Sequence, residues 1–250
     1  MSSALSTSIR IRNTLLLLLT CAAGYLDAVS YRGLERVLTA NMTGNTVLLG
    51  LALVEADSQA VLRSGLALGG FLGGSALGAW IVERGQPTGV WPPPVTVALA
   101  LEWVILLAFA LGWLWASPAF SPSTATAVLI VLSALAMGVQ SAAVRRLDVS
   151  GVATTYITGT LTSCVARLVG RVARVSAPVS TRTQEGAGHL GQPPQSAHSA
   201  GLLATVWVVY IGGAAGGAAA PLLGQVFALV VPLVLLLLVL VTAAGAFWPR

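Results

Sequence analysis

Thr39-Ala40-Asn41-Met42-Thr43-Gly44-Asn45 and Thr154-Thr155-Tyr156-Ile157-Thr158-Gly159-Thr160 decide how this chain folds. Each run is polar and unsuited to lipid, yet each sits between strongly apolar segments. Each carries Thr-Gly at the same place and leads into a short apolar stretch, Thr46 to Val54 and Leu161 to Val169. They read as two copies of one device: extended backbone, then a helix that begins inside a membrane.

The surroundings support a membrane setting. The chain is 56% hydrophobic and 8% charged, against about 25% charged in a soluble domain, so too few charges exist to cover a globule in water. All 13 basic residues are Arg, and the net charge is +5. The arginines gather at the ends of apolar segments, where they act as topology determinants rather than as a nucleic-acid surface. Cys21 and Cys164 lie in apolar contexts without a C-x-x-C or a His partner, which reads as two buried thiols. His189 and His198 stand in a hydrophilic stretch and mark no metal site.

Full spans are expected at 13–31, 64–83, 95–115, 124–144, 201–220 and 226–247, each long enough for about 30 Å of hydrocarbon. Residues 1–12 read as a polar, basic tail, and 13–31 as a retained span rather than a cleaved signal, because apolar character continues past Cys21-Ala22-Ala23-Gly24. The stretches 46–54 and 161–169 hold nine residues each. As helices rising about 1.5 Å per residue they reach half-way across. Residues 171–199 read as a flexible hydrophilic loop.

The halves match piece by piece, as repeat 1 (about 13–115) and repeat 2 (about 124–247) of one membrane domain covering 1–250. The Thr-Gly pairs are 115 residues apart, Gly24 and Gly138 are 114 apart, and two Gly-Gly-x-x-Gly-Gly blocks are 143 apart. If both short segments enter and return, ten arginines share one side and three the other, and the halves are inverted. If both cross, the split is eight against five and the halves are parallel. The excess of arginine on cytoplasmic sides favours six spans with both termini cytoplasmic. The expectation is therefore an all-α integral membrane protein with a duplicated, inverted repeat, six full transmembrane helices and two broken half-helix segments.

Asn41, Thr43, Gly44 and Asn45 in one half, and Thr155, Thr158, Gly159 and Thr160 in the other, concentrate amides, hydroxyls and bare backbone. A helix starting there offers free N–H groups and the positive end of its dipole to a polar or anionic solute. The same residues equally suit a purely structural task, capping the half-helices. Asp27 lies well inside the first span, where an acid marks a proton or ion pathway or pairs with a partner such as Arg32 or Arg36. Its counterpart is Ser141, beside Gln140. Glu102 reads as closer to the membrane interface. The Gly pairs suit close helix packing, internally or in a homodimer. No triad, metal-spaced cluster or phosphate loop points to an enzyme or a cofactor.

Gly24-Tyr25-Leu26-Asp27-Ala28, the run 39–45, Gly138-Val139-Gln140 and the run 154–162 resemble the bacterial YoaK family of multi-spanning membrane proteins, a domain of unknown function. The likeness covers the chain except 1–12 and 175–199. It implies an integral inner-membrane protein of about six spans and supplies neither substrate nor catalytic residues. In design alone the chain is also similar to sulfate and nucleobase permeases, which use inverted repeats with broken helices. The expected function is transport of a small polar or anionic solute, with Asp27 coupling a proton and the bilayer as the principal partner. The alternatives are a non-transporting scaffold and, third, a channel.

Overall fold

The computed structural model describes residues 2–84, 89–115, 122–149, 159–166, 169 and 200–248. The run 154–158, with Thr154, Thr155, Tyr156 and Thr158, and the stretch 171–199 lie outside them. Seven helices follow in order: α1 (Ser2–Gly33), α2 (Met42–Val54), α3 (Ser58–Glu83), α4 (Pro93–Trp115), α5 (Pro122–Arg146), α6 (Ala200–Ala219) and α7 (Gln225–Phe247). A 3-10 turn, Ala220–Leu222, joins α6 to α7, and residues 159–166 are also helical. Six helices are long and apolar enough to cross a bilayer; α2, with 13 residues, is not. The described residues hold no strand. This is an all-α, multi-pass membrane protein.

Several boundaries differ from the sequence reading, α3 for one beginning at Ser58 rather than 64. The polar tail is helical from Ser2 onward. No Pro or Gly interrupts it, and the Ser8 and Thr14 hydroxyls fold back onto the carbonyls of Ala4 and Arg10. Helix α2 begins at Met42 rather than Thr46, because the Asn41 side chain caps it by accepting from the Gly44 N–H.

Contacts between elements fix the directions of the six long helices. An added Cβ on Gly74 would meet Leu135, and one on Gly78 would meet Val139, so α3 and α5 run parallel. Gly213 faces Cys21 and Gly217 faces Tyr25 in the same sense, so α1 and α6 also run parallel. Gln140 reaches the Leu19 carbonyl while Ser133 reaches Thr39, which sets α1 and α5 antiparallel. Trp91 stacks on Phe247 and Trp103 bonds Leu233, so α4 opposes α7. Gly33 lies under Trp113, placing the ends of α1 and α4 together. Thus α1, α4 and α6 run one way and α3, α5 and α7 the other. The segment between α1 and α3 leaves and returns at one end of the bundle, where Arg63 pairs with Glu35.

The glycines explain the closest contacts. Gly24 approaches the Tyr210 carbonyl of α6 as Gly138 approaches the Phe71 carbonyl of α3, with an added Cβ at 2.3 and 2.2 Å. Gly74 sits on Leu135 as Gly213 sits on Cys21, and Gly78 on Val139 as Gly217 on Tyr25. By contact, then, Gly74 answers to Gly213, one helical turn away from the register of the Gly-Gly blocks. The buried centre is aliphatic, with Leu16, Leu19, Leu26, Leu99, Ile130 and Met137 fully enclosed. Large apolar side chains such as Leu72, Val104, Val128, Val208 and Val241 face outward, as a lipid-solvated surface requires.

Candidate functional site

Leu34 to Asn41 fold back along the last turns of α1 instead of continuing it. Glu35 and Arg36 adopt positive φ, 57° and 67°, which reverses the chain. The returning backbone then needs acceptors at membrane depth, and Asp27 supplies them. Its Oδ1 accepts from the N–H groups of Thr39 (2.8 Å), Ala40 (2.7 Å) and Asn41 (3.3 Å). Its Oδ2 accepts from the Tyr210 hydroxyl of α6. Asp27 lies six residues before the end of α1, about 9 Å along the helix axis.

The partner of Asp27 is therefore a nest of amides and a phenol. The expected pairing with Arg32 does not occur: its guanidinium donates to the Ala218 carbonyl at 2.9 Å. Thr39 is fully buried, and its hydroxyl joins Ser30 of α1 (3.1 Å) to Ser133 of α5 (3.0 Å). The loop is thus held to α1 and α5, and through Asp27 it is linked to Tyr210 of α6. Among charged groups of the described residues, the ion pair is Arg63–Glu35.

The first polar run divides by task. Asn41 caps α2. Asn45, fully buried, accepts from the Leu38 N–H at 3.0 Å and donates to the Leu38 carbonyl. Thr43 is exposed, and Thr46 bonds back to Met42. A Cβ on Gly44 would meet the tip of the Leu38 side chain, which is able to move. In the second run Gly159 begins the described helix and Thr160 is buried; Thr155 and Thr158 lie outside the described residues. Asn45→Ala leaves the half-buried N–H and carbonyl of Leu38 without their side-chain partners, at about 1 kcal/mol for each bond lost. The melting temperature of the purified protein is expected to fall accordingly, and an unchanged value would remove Asn45 as an anchor.

Contacts matched across the two halves bring out a second place. Under the equivalence set by the glycines, Asp27 answers to Ser141, Tyr210 to Phe71, Arg32 to Arg146 and Ala218 to Ala79. Ser141, Phe71, Arg146 and Ala79 line a groove of about 580 Å³ between α3 and α5, at the end of the bundle where α1 begins. Ser75, Glu83, Arg145 and Asp148 complete its polar wall. From Glu83 back to Phe71 it runs twelve residues of α3, about 18 Å. Sequence reasoning picked out Ser141 through its offset from Asp27 but missed Phe71 and Ser75, since helix register against a neighbour is not visible in one chain. A smaller cleft of about 260 Å³, between the opposite ends of α3 and α5, holds the Arg63–Glu35 pair.

Comparisons with known proteins agree with this architecture. Residues 15–242 match a family described as "Protein of unknown function (DUF1275)". The UPF0700 transmembrane protein YoaK of Bacillus subtilis (strain 168) is 42% identical over 166 residues, 66% of this chain and 71% of that protein. No solved structure matches.

Proposed function

We propose, from the premise that the chain belongs to the DUF1275 family, that it is a secondary transporter for a small polar or anionic solute. One observation carries the reading: an anchored loop in one half and a polar groove in the other fall at equivalent places. The loop 34–41 is fastened to Asp27 of α1 and Ser133 of α5, and Asp27 in turn accepts from Tyr210 of α6. Between α3 and α5, at the place matching Asp27 and Tyr210, lies a groove lined by Ser75, Ser141, Arg145 and Arg146; residues 150–155, the match of most of the loop, lie outside the described residues. In this reading the two are the sealed and the open form of like sites, the geometry that alternating access uses.

The helix directions and the matched glycine contacts support two inverted repeats. The described arginines Arg10, Arg12, Arg84, Arg145 and Arg146 gather at the open end and Arg32, Arg36 and Arg63 at the sealed end. In this reading the open groove and both termini face the cytoplasm. The solute enters past Arg145 and Arg146. It moves along the half-helix starts, with Asn41, Thr43, Gly44 and Asn45 on one side and Thr155, Thr158, Gly159 and Thr160 on the other. Asp27, released from the loop, takes up the coupling proton. The protein performs no chemistry on what it carries. Of the two uses foreseen for the Gly pairs, internal packing and a homodimer, Gly70, Gly74, Gly78, Gly213 and Gly217 serve the first.

A thermal-shift screen of the purified full chain against small anions and neutral polar metabolites tests this. Saturable stabilisation by one class, reduced at least tenfold in apparent affinity by Arg146→Ala, is expected. Silence across the whole panel favours the second reading, a membrane scaffold. That reading draws its support from Asn41 and Asn45, whose side chains are taken up in holding backbone.

A further inference from the structure

A second acid sits in the membrane-spanning bundle, and its surroundings are unlike those of Asp27. Glu102 lies near the middle of α4, ten residues into a 23-residue helix, and is fully buried. The sequence reading placed it closer to the interface. Neither carboxyl oxygen has a hydrogen-bond partner among the described residues. Helix α4 packs against α5, α7 and α3. No titratable residue occurs in α7 or between Pro122 and Val144 of α5. The Arg145 and Arg146 pair closes the far end of α5, and Arg63 and Glu83 stand near the two ends of α3. Among the described residues, then, no cation or hydrogen-bond donor reaches the Glu102 carboxyl.

Burying an ionised carboxylate without partners costs far more than burying the neutral acid. The present packing thus accepts Glu102 only with its proton. Asp27 differs in its partners, since its oxygens are occupied by three amides and a phenol.

The next residue ties Glu102 to a weak point. Trp103 donates its indole N–H to the Leu233 carbonyl of α7 at 3.1 Å. Leu233 follows Pro232, a proline inside α7 that is itself buried. Pro232 has no N–H, so the carbonyl one turn earlier, at Ala228, lacks its usual donor and the helix is easier to bend there. On the other side of that point the Tyr25 hydroxyl of α1 bonds the Phe227 carbonyl at 3.0 Å. This stretch of α7 is thus held by α1 and α4, and Glu102 is the sequence neighbour of the α4 residue that holds it.

We propose that Glu102 is a proton-binding site in the packed interior of the bundle, whose proton keeps α4 packed against its neighbours. Loss of that proton to water leaves a bare carboxylate in the interior, and the packing around α4 must loosen to hydrate it. As the coupling site of the transporter proposed above it rests on that reading; as a proton-binding site it does not.

The test is thermal unfolding of the full chain in detergent in acidic and alkaline buffers. Glu102 is protonated in the folded protein and ionised in the unfolded chain at alkaline pH, so its contribution makes stability fall as pH rises. The wild type is expected to lose several degrees between the two buffers, and Glu102→Gln, a neutral match in shape, to lose clearly less. Glu102→Leu should behave like the Gln variant. An undiminished loss in either variant overturns the proposal. Should neither variant fold, wild-type protein carrying isotope-labelled glutamate decides by infrared spectroscopy. A protonated carboxyl band persisting near neutral pH and vanishing at alkaline pH upholds the site, and its absence overturns it. A silent solute screen with a positive result here removes the transporter and leaves the proton site standing. A positive screen with a negative result here does the opposite.

Discussion

Gly74→Ala is expected to prevent the protein from folding, while Gly73→Ala one residue earlier is expected to leave it intact. A Cβ at Gly74 would lie 2.0 Å from the Leu135 carbonyl oxygen and within 3 Å of that residue's carbonyl carbon and Cα. All three are backbone atoms of a helix packed along its length, so none moves alone. Separating α3 from α5 to make room would forfeit the contacts of Gly70, Gly78 and Gly138 as well. Overpacking a tight interface costs about 1–3 kcal/mol where neighbours yield, and these neighbours are main chain. At Gly73 a Cβ meets nothing, and replacing a helical glycine by alanine there gains about 0.5–1 kcal/mol. The same contrast is expected between Gly213→Ala, 2.3 Å from the Cys21 carbonyl oxygen, and Gly212→Ala, which meets nothing. Size-exclusion profiles of detergent extracts read both pairs: the inward variants aggregate or vanish, and the outward ones elute as wild type.

Asp27→Ala is expected to free the loop 34–41. Four donors converge on this carboxyl, three of them amides at membrane depth. Each buried donor left without a partner costs about 1–3 kcal/mol, so the loop is more stable hydrated than in place. The Ser30–Thr39–Ser133 chain of hydroxyls and the Asn45–Leu38 bonds remain, but they reach only the Thr39 side chain and the Leu38 backbone. Asp27→Asn should be milder, because it keeps a carbonyl oxygen for the amides and presents its NH2 to a Tyr210 hydroxyl able to turn and accept. Tyr210→Phe should be milder still. The expected order of melting temperatures is wild type, Tyr210→Phe, Asp27→Asn, Asp27→Ala, from highest to lowest.

Much of this architecture was legible in the residues. The six long apolar runs gave six long helices, because length and composition suffice when lipid is the solvent. The re-entrant course of the first polar run followed from the arginines, whose ten-against-three division favours entry and return over crossing. What stayed hidden was side-chain allegiance. Asn41 and Asn45 look the same in sequence whether they bind a solute or hold Leu38 and the start of α2. Asp27 sat next to Arg32 in any one-dimensional search for a partner, yet its acceptor capacity is taken by amides twelve to fourteen residues on and by a tyrosine from the other half. Glu102 showed no sign of its isolation, because isolation depends on which helices face it. The Gly-Gly blocks announced close packing, but the choice of inward glycine, Gly74 rather than Gly73, is set by the rotation of α3 against α5.

The central claim, that equivalent grooves are open at one end of the bundle and sealed at the other, is tested most directly by thiol accessibility. Cys21 and Cys164 are replaced by alanine, and single cysteines are placed at Ala142, in the open groove, and at Ala40, in the loop held by Asp27. A membrane-impermeant maleimide is then applied to sealed vesicles of each orientation. The account predicts rapid labelling of Ala142→Cys from the side bearing the N-terminus, with Ala40→Cys protected from both sides until Asp27→Ala is added. Fast labelling of Ala40→Cys with Asp27 intact, or labelling of Ala142→Cys only from the opposite side, would contradict it.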